Sequence, residues 1–186
     1  MKSRHLSPLL FLALLPACAF AQGDLGIAQY KANGELQRPA NLDEWIQAGA
    51  SLGSDYGEGP FDPQNPGAIG VVQMEPNAYR YFMEHKTYAD GTMFLLSFFN
   101  AEAQSSPQLP GFVQGALRAQ EIHVIDKARF GDDSGHAFFL FNRPDTAAST
   151  RIPVGNDCVR CHTTEGKFDG TFIQFYPHLR AQVGIE

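Results

Sequence analysis

TMFLLSFFN, residues 92–100, is an unbroken apolar run carrying three phenylalanines. Nine such residues fit a buried strand or a short buried helix, and periodicity alone does not separate the two. The flanks favour a strand. Ahead of it, AIGVVQM (68–74) is rich in branched residues and ends at Pro76; behind it, FVQGALRAQEIHVID (112–126) and HAFFLFN (136–142) also read as strands. Between the first two, Asn77 is the expected cap of a short helix whose apolar face is Tyr79, Phe82 and Met83, with Asp90-Gly91 as the turn out of it. Gly131-Asp132-Asp133-Ser134-Gly135 is a turn before the last strand, and the Gly-, Pro- and Asp-rich stretch 53–67 reads as a surface loop. Strands with one short helix, followed by a helical C-terminal piece, predict an α+β fold, mainly antiparallel sheet with a few short helices at one side.

The chain has 186 residues, 44% of them hydrophobic and 12% aromatic, which suits one globular domain. Its first residues place Lys2 and Arg4 before the apolar run SPLLFLALLPACAF and the small-x-small site Ala19-Phe20-Ala21. That order predicts a secretory signal peptide over 1–21 and a single mature domain over 22–186, located in the periplasm. Leu15-Pro16-Ala17-Cys18 offers a competing lipoprotein cut that would anchor the chain through Cys18, although Pro16 fits such a signal poorly. Loss of the two leader cations takes the formal charge from −6 to −8, which argues against nucleic acid as a partner.

With Cys18 gone, Cys158 and Cys161 are the remaining thiols, and both stand in CVRCHTTEG (158–166). Asn156 or Asp157 would cap a helix beginning at Cys158, which would bring Cys158, Cys161 and His162 onto one face at i, i+3 and i+4. C-x-x-C-H is the pattern of c-type haem attachment: two thiols one turn apart meet the two vinyl groups, and the next imidazole reaches the iron. One covalently attached haem c, held by Cys158 and Cys161 with His162 on the metal, is therefore expected. A thioredoxin-like dithiol would need a strand-helix alternation that the sequence lacks. A structural zinc would need two further ligands from distant positions, and a Cys158–Cys161 disulfide would close too short a loop to stabilise much. Candidate sixth ligands are His85, His123, His136, His178, Met74, Met83 and Met93, none in a distinctive context. Arg160, Lys167, His178 and Arg180 are candidate partners for the haem propionates or plain surface charges.

Beyond the haem motif, EWIQAG (44–49), QMEPNAYRYF (73–82), ADGTMFLL (89–96), KARFGDDSGHAFFLF (127–141) and CVRCHTTEGKFDGTFIQFYP (158–177) together resemble the β-fold cytochromes that comprise cytochrome P-460 and cytochrome c′-beta. The resemblance covers most of residues 42–180. It implies a single c-type haem packed against a mainly antiparallel domain, with a five-coordinate iron. In the cytochrome P-460 branch, a lysine four residues after the Thr of D-G-T bonds covalently to the haem edge, and such proteins oxidise hydroxylamine. Counting from Thr92 gives Leu96, and Lys86 precedes the motif. The family's distal arginine falls on Gly70. No carboxylate matches its proton-relaying glutamate with certainty, leaving Glu121, Asp126 and Asp145 as candidates by location.

These departures place the sequence nearer the c′-beta branch, whose apolar distal pocket binds nitric oxide and carbon monoxide. On a strand, Phe94, Leu96 and Phe98 share one face and would form that pocket's lid. Whether the chain is an enzyme stays open, with gas binding favoured over hydroxylamine or nitric oxide oxidation and over electron transfer. The expected partners are small diatomic ligands and a redox cytochrome, with a homodimer left open.

Overall fold

The computed structural model describes residues 25–53, 60–104, 108–143 and 145–186. The expected leader and cleavage site, and Cys18, lie outside the described residues. The main sheet has five strands in the order β2-β3-β4-β5-β6: β2 Ile46–Leu52, β3 Ala68–Met74, β4 Thr92–Gln104, β5 Gly111–Ile125 and β6 His136–Phe141. Every neighbouring pair is antiparallel, so the chain runs back and forth in sequence order. A small second sheet joins β1 (Leu36–Gln37) to β7 (Ala148–Ser149). Three short helices complete the fold: α1 (Pro76–His85), α2 (Asp157–Glu165) and α3 (Pro177–Arg180). The expected α+β architecture, dominated by antiparallel sheet, is what the chain forms.

The run 92–100 has no alternation because β4 is central and buried on both faces. Odd residues Met93 and Leu95 join Ile122, Val124, Phe139, Phe141, Trp45 and Leu36 in one core, covered by the segment ahead of β2. Even residues point the other way, where Phe94 packs with Met74, Ile125, Phe82, Ile173 and Leu179 beneath α1 and the C-terminal segment. The register sets the second face in rows: Met74, Phe94, His123 and Phe138 lie side by side across four strands, as do Val72, Leu96 and Glu121 across three. Past Phe98 the β4–β5 pairing slips, and the outer part of that hairpin becomes largely exposed.

The structure corrects one expectation about α1. Its cap is Glu75, not Asn77. The buried Glu75 carboxylate accepts a hydrogen bond from Ala78 N at 2.8 Å, Pro76 occupies the first helical turn, and Asn77 is exposed inside the helix with its amide donating to Glu75 at 2.8 Å. Proline suits the first turn because no intrahelical partner is lost there, so the residue that ends β3 also starts α1. β2 was not legible from alternation. Only its Ala48 and Gly49 are buried, and a Cβ on Gly49 would lie 2.8 Å from the Tyr176 ring. Glycine there lets the C-terminal segment lie directly on the strand.

Removing the cap should cost the helix about 1 kcal/mol. Glu75→Ala is expected to lower the urea midpoint accordingly, whereas Asn77→Ala should change it by less than about 0.5 kcal/mol. Equal losses in the two variants would contradict the assignment of the cap.

Candidate functional site

Between the even face of the sheet and the C-terminal segment lies a cavity of about 630 Å³. Its sheet wall includes Val72, Phe94, Leu96, Phe98, Glu121, His123 and Phe138, with Gly49, Ala50 and Ser51 of β2; the opposite wall includes His162, Phe172, Phe175, Tyr176 and Arg180. A space of this size and lining is what a cofactor site requires, since such sites span roughly 300–1,000 Å³ and are mostly apolar.

His162 reaches the cavity from α2. Asn156 caps that helix, accepting from Val159 N at 3.1 Å, and Asp157 is its first residue. The approach to the cap is pinned from the sheet side. Asp133, buried in the turn before β6, accepts from Arg151 Nη2 at 2.8 Å and from Gly155 N at 2.9 Å. Helical spacing puts Cys158 one turn ahead of Cys161 and His162, as the sequence predicts. Cys158 is half-buried and Cys161 exposed, and they stand beside the cavity rather than in its wall. Burial raises the Cys158 thiol above its ordinary range, and the nearby Glu121 carboxylate adds to the rise.

The His162 ring is held by four neighbours. Its Nδ1 lies 2.8 Å from the Gly170 carbonyl. A carbonyl only accepts, so Nδ1 carries the hydrogen and the free lone pair is on Nε2. Phe138, Phe172 and His123 surround the ring at centroid distances of 4.8, 4.7 and 4.8 Å. Burial pulls the His162 pKa down, partly opposed by the Gly170 carbonyl. His123 is pushed well below the ordinary histidine range by burial, with the neighbouring imidazoles His162 and His136 adding to the effect. Its Nε2 is 3.0 Å from His136 Nδ1, one ring donating and the other accepting. A neutral His162 with Nε2 unprotonated is the form in which imidazole binds a metal.

Six of the seven other candidate axial ligands are elsewhere. Met74 and Met93 are fully in the core, Met83 packs beside it, and His85 is exposed with Nδ1 at 3.0 Å from Tyr81 O. His178 is exposed next to Tyr79, and His136 is buried behind His123. Of these residues only His123 lines the cavity. Its position on the face of β5 that meets Phe94 follows from register, which the sequence alone did not supply. No group of three or more His, Cys, Asp or Glu poised for a metal occurs among the described residues.

Phe94, Leu96 and Phe98 line the cavity together, as a strand over 92–100 requires. Gly70 lies opposite Phe98 in β3, and a Cβ there would point toward Ser51, Leu96 and Phe98. Among the described residues no lysine lines the cavity. Lys86 is the left-handed cap residue after α1 and bonds Met83 O and Gln182. Of the three candidate carboxylates, Glu121 is in the wall, Asp126 accepts from Arg129 N in a turn, and Asp145 is exposed beside Arg143. Of the four basic residues near the motif, only Arg180 lines the cavity, its Nη1 donating to Gln174 O at 3.0 Å. Arg160 is exposed and pairs with Asp157, while Lys167 is also exposed.

A largely apolar cavity lined by His162, with two thiols one helical turn apart beside it, has the donor set of a haem protein. The family model described as Cytochrome P460 matches residues 44–173, well over half of the chain, and the chain belongs to that family. Membership of a cytochrome family implies a haem cofactor, and the cavity lining fits one. No curated relative matches the chain.

Asp133→Ala leaves Arg151 and Gly155 N without their buried acceptor, a loss of about 2 kcal/mol. Chemical denaturation should register that loss. The exposed pair Arg143–Asp145, 3.8 Å apart, is the control: Asp145→Ala is expected to leave the midpoint where it is.

Proposed function

We propose that this protein is a secreted cytochrome with one covalently attached haem c that binds diatomic gases, nitric oxide and carbon monoxide, in the manner of the c′-beta branch. The observation that carries this reading is the side chain at 96. The fourth residue after Thr92 is a leucine, it lines the cavity, and no lysine among the described residues does so. Haem bound in the cavity supplies an iron centre with a coordination position for a diatomic ligand.

The residues that would hold it are His162, through Nε2, and Cys158 and Cys161, through thioether bonds. The Nδ1–H bond to Gly170 keeps the imidazole in the tautomer that offers Nε2 to the cavity. Arg180 is the cation in the cavity wall and suits a propionate. Phe94, Leu96, Phe98 and Val72 exclude water and carry no proton to donate. Nitric oxide and carbon monoxide need no such proton to bind ferrous iron, whereas oxygen activation and hydroxylamine oxidation rely on proton transfer. The signal sequence supports secretion to the periplasm, with nitric oxide sequestration or detoxification as a role there.

One observation favours a second reading. Glu121 is a carboxylate in the same wall, directly across from Leu96, and proton-coupled oxidation of hydroxylamine or nitric oxide needs such a group.

Absorption spectra of the purified ferrous protein, with and without carbon monoxide, test the first reading. A five-coordinate spectrum that converts on adding carbon monoxide is expected. A six-coordinate ferrous protein that takes up no carbon monoxide would overturn it. The second reading expects hydroxylamine turnover that Glu121→Gln abolishes, and a tryptic peptide joining a lysine to the haem peptide.

A further inference from the structure

The peptide that holds His162 lies in a left-handed turn. Gly170 sits at φ +63° and Asp169, which is not a glycine, at +42°, two left-handed residues in succession. Glycine takes this conformation freely and aspartate more readily than most side chains, and neighbouring contacts hold the turn in place. Three do. Lys127 Nζ bonds Asp169 at 3.0 Å from outside. Thr171 Oγ1, after the turn, lies 3.0 Å from the buried Tyr88 hydroxyl.

The third contact is the His136 ring, pressed against Gly170 from the sheet side. A Cβ at 170 would stand 2.5 Å from both Cε1 and Nε2 of that ring, so the ring occupies the space that any other residue's side chain would need. The ring is in turn fixed by His123, whose Nε2 is 3.0 Å from its Nδ1. His123 is stacked on Phe138 at 4.4 Å and 11°. A rigid strand face, His123, His136 and the Gly170 peptide thus form a continuous line of contacts ending at the carbonyl that accepts the His162 Nδ1–H.

We propose that His136 is a positioning residue for His162: braced by His123, its ring sets where the Gly170 carbonyl stands and so how strongly His162 Nδ1–H is hydrogen bonded. A stronger bond at Nδ1 makes Nε2 a better electron donor to a metal. The inference rests on the reading that His162 Nε2 holds the haem iron.

Resonance Raman spectroscopy of the haem-loaded ferrous protein reads that bond through the iron–histidine stretching band. His136→Ala removes the ring and is expected to move the band to lower frequency and raise the reduction potential. His136→Phe keeps a ring but loses the His123 bond, and should fall between. Lys127→Met loosens the same turn from the solvent side and should shift the band in the same direction even if the buried variants do not fold. A band present in the wild type and unmoved in Lys127→Met and in any folded His136 variant would overturn the inference alone. Absence of the band from the wild type would overturn the reading of His162, and the inference with it.

Discussion

Strand β4 is buried on both faces, and that constraint organises the rest of the molecule. A two-sided apolar strand needs two covers, and the chain supplies both. The segment before β2 closes one side with Leu36 and Trp45, while α1 and the C-terminal segment close the other with Phe82, Ile173 and Leu179. Full burial of such side chains contributes about 1.5–3 kcal/mol each. The second cover is incomplete over Leu96 and Phe98, and the gap it leaves is the cavity. The C-terminal segment is thus both lid and carrier, since it supplies Phe172, Tyr176 and Arg180 to the wall and Gly170 to His162.

How much of this the sequence revealed depended on how local each cause was. The cap, which the sequence narrows to Asn156 or Asp157, and the one-turn spacing of Cys158, Cys161 and His162 are local, and both are legible. The shared face of Phe94, Leu96 and Phe98 follows from period two alone once the segment is taken as a strand. Other features depend on partners far away in sequence. His123 was one of several histidines until the β4–β5 register set it opposite Phe94 and beside His162. Glu121 separates from Asp126 and Asp145 for the same reason. β2 is not legible from the sequence because its outer residues are exposed and its inner ones are small, a pattern imposed by the segment that lies on it.

The site draws its order from neutral rather than charged groups. Around His162 stand two phenylalanines, a neutral histidine and a carbonyl, while Lys127–Asp169 and Arg151–Asp133 act one layer out on the loops that carry it. Unpaired charge in so apolar a site would be expensive; Lys127–Asp169 sits where solvent reduces that cost, and the buried Asp133 is satisfied by Arg151 and Gly155 N.

Alternation along β4 divides the strand's duties by parity. Met93 and Leu95 answer to the closed core, and Leu96 and Phe98 to the open one, so a side chain at 96 can be exchanged with little consequence for the packing beneath it. Chemistry and foldability are thereby inherited through separate positions of one strand. A lineage built on this sheet can change what its haem encounters by single substitutions, without first finding a new way to fold.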